Sequence, residues 1–340
     1  MREIWPLNEL GVSIIIPAHQ PSEALRRCLA GVRAVDPPPG EVIVVVDGPN
    51  DEVAGLAAGF GAQVVQAERR AGPAVARNLG AQSARFEILF FVDSDVLVRP
   101  DAVEQVTDAF RTDPSLTAVF GSYDDAPDAP GFISQYKNLL HHYVHQTAHD
   151  EASTFWSGCG AIRRNVFLSV GGFDPAYDEP AIEDIELGYR LRAAGHRVRL
   201  QKTLQVKHLK GWTLASLLRG DFCGRALPWS QLILQRGFVD DLNVSLAGRL
   251  CVALVWVFAA SLSVVWRWPV AAWAAAVCAL WLLVLNLPLY VFMARKRGAL
   301  FALVAIPLHW LYFGYSGLAF ALALARHLVM LRSRAEHGAE

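Results

Sequence analysis

Charge divides this chain in two. Of its 31 Lys/Arg and 32 Asp/Glu, 24 and 30 lie in residues 1–249, and only 7 and 2 in the 91 residues that follow. That tail holds three uncharged runs, Leu250 to Trp266, Trp268 to Ala294 and Gly298 to Ala325, separated by Arg267 and Arg295-Lys296-Arg297. The second and third exceed the roughly 20 apolar residues that cross a bilayer, and the first, at 17 residues, sits at the lower limit and could instead lie in the interface. Trp256, Trp266, Trp268, Trp281 and Tyr290 suit aromatic belts. Two to three transmembrane helices are therefore expected over 250–331, with a polar tail at 332–340.

The basic triplet at 295–297 assigns its loop to the cytoplasmic side, and with three spans the amino-terminal part is cytoplasmic too. A multi-pass protein of the cell (inner) membrane is expected. The same count sends Arg326, Arg332 and Arg334 to the far side, so either the first run does not cross or the third doubles back near Pro307 and Gly314. Met1 to Leu10 is polar and Val12 to Ile16 is too short for a signal-peptide core, so no secretory signal is expected. The five cysteines (28, 159, 223, 251, 278) show no C-x-x-C spacing and read as small buried side chains.

The roughly 250 residues ahead of the apolar tail are enough for one well-buried α/β domain. Short apolar runs at Val12 to Pro17, Glu41 to Val46, Gln63 to Gln66 and Ile88 to Val92 alternate with helical spacing at 22–35, 51–60 and 74–84. Continuous rather than alternating runs predict a mostly parallel sheet covered on both faces. No G-x-G-x-x-G follows the first strand, which disfavours a dinucleotide fold.

Ile88-Leu89-Phe90-Phe91-Val92 runs straight into Asp93-Ser94-Asp95. Open α/β sheets place ligands at the carboxyl ends of their strands. Carboxylates one residue apart there can share a divalent cation, which Mg²⁺ chemistry usually completes with substrate phosphates. Asp47 ends the second strand on the same edge; it is either a turn residue of Asp-Gly-Pro-Asn or an acceptor for a base imide or ribose hydroxyl. Trp156-Ser-Gly-Cys-Gly160 and Gly171-Gly-Phe-Asp174 are small-residue loops. The stretch 180–194, with Pro180 near its first turn, reads as an amphipathic helix opening on Glu183 and Asp184. Those acids either compensate the helix dipole or supply a general base kept ionised by it. His141, His142 and His145 on a predicted helix at 131–146 do not converge with further ligands in a zinc pattern, and a solvated helix face is expected.

In this order, a strand-end Asp, a D-x-D, a Gly-rich loop and an acidic helix start resemble the family 2 glycosyltransferases of the GT-A fold. The resemblance runs from Val12 to about His208 through Val12-Ser-Ile-Ile-Ile-Pro-Ala18, Gly72-Pro-Ala-Val-Ala-Arg-Asn78, Phe91-Val-Asp-Ser-Asp95, Gly171-Gly-Phe-Asp174 and Glu183-Asp184. It implies a GT-A nucleotide-sugar domain over 1–210. It further implies that Pro17 and Ala18 line the nucleotide pocket, Asp47 binds the base, Arg77 lies near the donor, and Asp93, Ser94 and Asp95 handle ribose and metal. Asp184 matches the catalytic base, and His208 the position where related enzymes often carry a metal-binding His. Trp156, Gly158 and Glu183 fall on the acceptor side. The implied cofactor is Mg²⁺ or Mn²⁺, the donor a nucleotide sugar with UDP favoured, and the reaction an inverting single displacement. No nucleic-acid partner is expected.

Between Leu187 and Val239 ten Lys/Arg face one acid, Asp221. A basic amphipathic juxtamembrane segment at 211–249 follows, suited to anionic headgroups and to a lipid-linked or envelope-glycan acceptor. Three alternatives stand beside this. A polyprenyl-phosphate glycosyltransferase shares the fold, although Asp95 here continues Val-Leu-Val-Arg-Pro100 rather than D-L-Q. A processive synthase would carry Q-x-x-R-W, where this chain has Arg225-Ala-Leu-Pro-Trp229. A non-catalytic membrane scaffold would not need carboxylates at 93, 95 and 184.

Overall fold

A computed structural model describes residues 10–238 and 242–337 and divides into two compact units, the boundary falling after Trp212. The first unit begins with the expected alternation: β1 (Val12–Ala18), α1 (Glu23–Arg33), β2 (Glu41–Val46), α2 (Asp51–Gly59), β3 (Gln63–Gln66), α3 (Pro73–Ser83) and β4 (Ile88–Val92). It continues with β5 (Val96–Val98), α4 (Ala102–Thr112), β6 (Leu116–Tyr123), α5 (Phe132–Thr147), β7 (Glu151–Ala152), β8 (Cys159–Arg163), α6 (Arg164–Ser169), α7 (Glu183–Ala193) and β9 (Arg197–His208).

These form one nine-stranded sheet in the order β3-β2-β1-β4-β8-β6-β9-β5, with β7 paired to β9. Ile14, Ile15, Ile16, Val44, Val45, Phe90 and Phe91 are fully buried, as strands covered by helices on both faces require. Helix starts are fixed locally. The Ser22 hydroxyl accepts from the Leu25 N–H at 3.0 Å and the Asn50 side chain from Val53 at 3.1 Å, which satisfies otherwise orphaned amides. On α1, Leu25, Cys28, Leu29 and Val32 recur at helical spacing and are all buried.

The sheet is mostly parallel in strand direction, as expected, with β1, β2, β3, β4, β6 and β9 running one way, and three short strands make it mixed. β1, β2, β3 and β4 run parallel, but β8 enters antiparallel to both β4 and β6, and β5 and β7 lie antiparallel to β9. The helix expected from 180 begins at Glu183, so Pro180 stays in the preceding loop. One oxygen of the Glu183 carboxylate accepts the Ala181 N–H at 3.0 Å, a local bond that fixes the chain just ahead of the first turn.

The second unit holds α8 (Leu214–Asp221), a π-helical turn at Phe222–Ala226, α9 (Leu227–Arg236), α10 (Leu246–Val264), α11 (Ala271–Arg297) and α12 (Ala299–His337). The π-turn ends two residues before Pro228, which has no N–H to give to the carbonyl four residues back, that of Gly224 within the turn. α9 packs against α12 and buries Trp229, Leu232 and Ile233, so part of the basic segment expected to flank the membrane region belongs to the helical unit itself. Three helices, α10, α11 and residues 299–331 of α12, are long and apolar enough to cross a membrane. At 19 residues α10 is ~28 Å long, close to the apolar thickness of a bilayer. α12 continues through Pro307 and Gly314 without reversing, which removes the doubled-back alternative.

Gly188 sets the seating of α7. A β-carbon added there would lie 2.5 Å from backbone atoms of Thr154 and Phe155, so the helix meets the 153–157 loop main chain to main chain. Overpacking typically costs about 1–3 kcal/mol, and backbone neighbours cannot rotate away. Gly188→Ala is expected to lower the unfolding midpoint of the detergent-solubilised chain by roughly 2–12 °C in a thermal melt, at ~2–4 °C per kcal/mol for a domain of this size.

Candidate active site

The turn after β4 carries Asp93, Ser94 and Asp95, and four neighbours fix it. The Asp93 N–H bonds the Gly158 carbonyl at 3.2 Å, the Cys28 thiol reaches the Asp93 carbonyl at 3.4 Å, the Val96 N–H bonds that same carbonyl at 3.3 Å, and the Leu209 N–H bonds the Asp95 carbonyl at 2.8 Å. The D-x-D is thereby tied to the Trp156–Gly160 loop, to α1 and to the end of β9. These segments are remote in sequence and meet at one end of the sheet.

Arg77, on α3, is buried with only 4% exposure. Its guanidinium donates to Asp93 Oδ1 at 2.6 Å and to Glu183 Oε1 at 2.9 Å, and lies 5.6 Å from the centre of the Phe173 ring. One cation thus bridges the D-x-D turn and the first residue of α7. The sequence placed Arg77 by the donor and Glu183 on the acceptor side; the structure pairs them with each other, and Glu183 is buried. Asp93 keeps only one oxygen clear of the arginine.

Asp184 is held differently. Its Oδ2 accepts both the N–H and the hydroxyl of Ser157, at 3.0 and 3.2 Å, and its Oδ1 accepts the N–H of Ile185 at 2.8 Å. Donors of this kind favour the ionised carboxylate. Ser157 escaped the sequence reading because a serine in a Gly-rich loop carries no signature; the pairing exists only because Gly188 lets the loop touch α7.

Asp47 lies at the end of β2, as expected, and is buried. Both of its oxygens accept backbone amides, from Ala71 at 2.8 Å and Gly72 at 3.1 Å. Its turn-forming role is across the sheet edge rather than within Asp-Gly-Pro-Asn. Gly72 has φ +88°, and a β-carbon on it would lie 2.1 Å from the Asp178 carbonyl, so glycine is required at that crossing of two loops. Pro17 and Ala18 pair with Val45 and Val46 beside Asp47.

Asp95 is the carboxylate of the turn with no arginine on it. Desolvation and the neighbouring Asp93 charge push its pKa up to about 6, with the Lys210 ammonium pulling the other way. A third of its side chain remains open. Across from it, His208 Nε2 stands 3.9 Å from Asp95 Oδ2, too far for a hydrogen bond, and the imidazole stacks on Tyr123 with ring centres 4.2 Å apart. A carboxylate oxygen and an imidazole nitrogen that do not close on each other suit a divalent cation completed by phosphate oxygens. Asp95 and His208 therefore fit the expected ion better than Asp93 does. No cluster of three or more potential ligands exists among the described residues.

The three histidines of α5 do not form a zinc site, nor a solvated face. His142 Nδ1 lies 2.7 Å from the Tyr123 carbonyl and His145 Nδ1 3.1 Å from the Gly121 carbonyl, so they cap the irregular end of β6, while His141 packs on Tyr123 and Trp156. Trp156 also meets Tyr123 edge-on at 4.8 Å, and Gly158 must lack a side chain because a β-carbon would strike the Trp156 indole at 2.5 Å. The Gly171–Asp174 turn is bound to α3 by reciprocal bonds between the Asn78 amide and Phe173, at 2.7 and 2.9 Å.

Residues 13–171 match the family model for glycosyl transferase family 2. The amino-terminal unit is a family 2 glycosyltransferase domain. Among curated proteins, the chain is 27% identical over 231 residues to a pre-mycofactocin glycosyltransferase of Mycobacterium tuberculosis, covering 64% of this chain and 47% of that one. It is 22% identical over 266 residues to a poly-β-1,6-N-acetyl-D-glucosamine synthase of Staphylococcus aureus, covering 73% and 63%. The chain thus spans less than two thirds of either relative. A solved mannosyltransferase of Pyrobaculum calidifontis, in complex with GDP-mannose and Mn²⁺, has a similar fold, with TM-score 0.57 at 17% identity over 93% of this chain and 87% of that one.

Removing the arginine of a buried ion pair leaves uncompensated charge and costs about 3–5 kcal/mol. Arg77→Gln should therefore destabilise the domain strongly in thermal melts. Arg77→Lys should recover only part of the loss, because a point charge cannot serve two carboxylates in a fixed fork.

Proposed function

We propose that this family 2 glycosyltransferase is membrane-anchored and transfers a sugar, with inversion, from a nucleotide-sugar donor to a hydroxyl of a lipid-linked or envelope-glycan acceptor. The observation that carries this is the buried bridge from Asp93 through Arg77 to Glu183, which fixes the D-x-D turn relative to the helix start that bears Asp184. A donor-side carboxylate turn and a base on a neighbouring element are the two parts a single displacement needs.

In that step Asp184 accepts the proton of the acceptor hydroxyl as its oxygen bonds the anomeric carbon. The bond from that carbon to the diphosphate oxygen breaks, and its electron pair leaves with the nucleoside diphosphate. Ser157 keeps the base oriented and ionised between turnovers. A divalent ion, Mg²⁺ or Mn²⁺, held by Asp95 and His208 would supply charge neutralisation for the diphosphate. Asp47 fixes the 71–72 loop beside the end of β1, where Pro17 and Ala18 would border the nucleoside.

A base held by Ser157 favours a hydroxyl acceptor over a polyprenyl phosphate, which is already ionised and needs no proton removed. The three long apolar helices support membrane anchoring, and Arg295-Lys296-Arg297 in the last turn of α11 supports a cytoplasmic face for the catalytic domain. The basic residues around α8 and α9 suit a membrane-proximal acceptor.

Asp184→Asn is expected to leave nucleotide-sugar binding within about threefold of wild type by calorimetry while turnover falls at least ~10³-fold, the upper part of the range for losing general-base assistance together with its orientation. Retained turnover removes Asp184 from the base role. A carboxylate that is protonated below about pH 6 competes with metal, so calorimetric Mn²⁺ affinity in the presence of UDP or GDP should fall as pH drops from 7 to 5 and level off above pH 7. The apo protein should show the opposite stability trend. Asp95 holds its proton to higher pH when folded than unfolded, so its contribution to stability declines as pH rises from about 4 through about 6.

A further inference from the structure

The cations around the D-x-D turn are nearly all committed. Arg77 is bound to Asp93 and Glu183, Lys207 lies 3.1 Å from Asp124, and Arg27 forms a two-bond pair with Asp128 at 2.8 and 2.9 Å. Lys210 is the exception. It follows His208 by two residues, is exposed, and has no carboxylate within ion-pair distance among the described residues. Its ammonium rests instead over the Trp212 ring, 4.5 Å from the ring centre.

The backbone around Lys210 is fixed on both sides. The Leu209 N–H bonds the Asp95 carbonyl at 2.8 Å, with His208 paired to Val96 one step earlier. On the other side the Trp212 N–H bonds the Ser134 hydroxyl at 2.8 Å. The lysine is thus carried on a short strap anchored to the D-x-D turn at one end and to α5 at the other, and only its side chain is free to move. An exposed cation–π contact is weak, about 0.5–1 kcal/mol. A diphosphate dianion is the stronger partner once it is present.

We propose that Lys210 is a second phosphate-binding cation of this site: the ammonium leaves the Trp212 ring to contact the β-phosphate of the nucleoside diphosphate, before transfer on the donor and after it on the departing group. This rests on the nucleotide-sugar reading above and extends it. The lysine gives the diphosphate a contact that does not depend on a metal ion, and Trp212 keeps that cation beside the turn rather than in bulk water. The negative charge that builds on the leaving oxygen in the transition state then meets a positive charge already in place.

The test is calorimetric titration of the full detergent-solubilised chain with UDP, GDP, dTDP and the matching monophosphates, with EDTA and again with Mn²⁺. In EDTA, Lys210→Ala should weaken the preferred diphosphate at least tenfold and the monophosphate less than twofold, and Lys210→Arg should recover most of the loss. Donor KM should rise in parallel, and the slope of log affinity against log salt should flatten. Diphosphate affinity in Lys210→Ala within twofold of wild type under both conditions overturns the proposal, as does an equal loss of monophosphate binding. A wild-type chain that binds none of the three diphosphates with Mn²⁺ overturns the nucleotide-sugar reading, and this proposal with it.

Discussion

The active end of the domain depends on one buried guanidinium. Arg77 is surrounded by the acids it pairs with, and the fields of Asp93, Glu183 and Asp184 together outweigh its own burial and strengthen its hold on its proton. The pairing also distributes charge unevenly. Asp93 and Glu183 share the one guanidinium, whereas Asp95, one residue beyond Asp93, is left with the repulsion of its neighbour. A site whose carboxylates outnumber its buried cation, with one of them at a solvent-accessible edge, has an electrostatic reason to take up a cation, and His208 is the second donor within reach of that edge. The arginine thus organises the proposed metal position without touching it.

Geometry at this end is transmitted by main chain rather than by interlocking side chains. Gly72 lies against Asp178, Gly160 against the Trp156 carbonyl, and Gly188 against Thr154 and Phe155, each closer than any β-carbon would allow. Loops normally belong to the surface because buried backbone must find partners. Here Asp47 serves the amides of residues 71 and 72, Asp184 serves that of Ser157, and the Asn78 amide serves Phe173, so the close crossings are hydrogen-bonded. Such contacts hold the acids to within a hydrogen bond of their places, which alignment of two substrates demands.

How legible this was in the sequence follows from the range of each interaction. The strands β1, β2 and β4 announced themselves because burial on both faces needs unbroken apolar runs, and the charge-free runs of the tail because bilayer thickness sets a minimum length. Asp93, Asp95 and Asp184 stood out because strand ends and helix starts are local features. The strand directions of β5, β7 and β8 were not legible, since short strands carry no mark of orientation. Nor were the partners of Arg77 and Asp184: a bond between residues 106 apart, or between Ser157 and a helix 27 residues on, leaves no periodic trace. The histidines of α5 misled in the same way, because His142 and His145 serve carbonyls at the end of β6 and His141 packs on Tyr123 and Trp156.

The helical unit obeys a different rule. Between spans in lipid the hydrophobic effect gives no preference for one register over another, so polar bonds and close approaches decide it. The Asn286 amide reaches Cys251 between α11 and α10, the Tyr290 hydroxyl meets His309 between α11 and α12, and Gly317 of α12 admits the Trp256 indole of α10. In the middle of α12, the Tyr315 hydroxyl donates to the buried Asp221 carboxylate at 2.8 Å, which fastens the short α8 to the longest helix. A sequence needed only to stay in a bilayer would have no use for these pairs, since leucine alone suffices. Their presence between each pair of the three long helices marks the tail as a unit of defined register. An acid and an arginine four residues apart at the π-turn, Asp221 and Arg225, complete it where α8 gives way to α9.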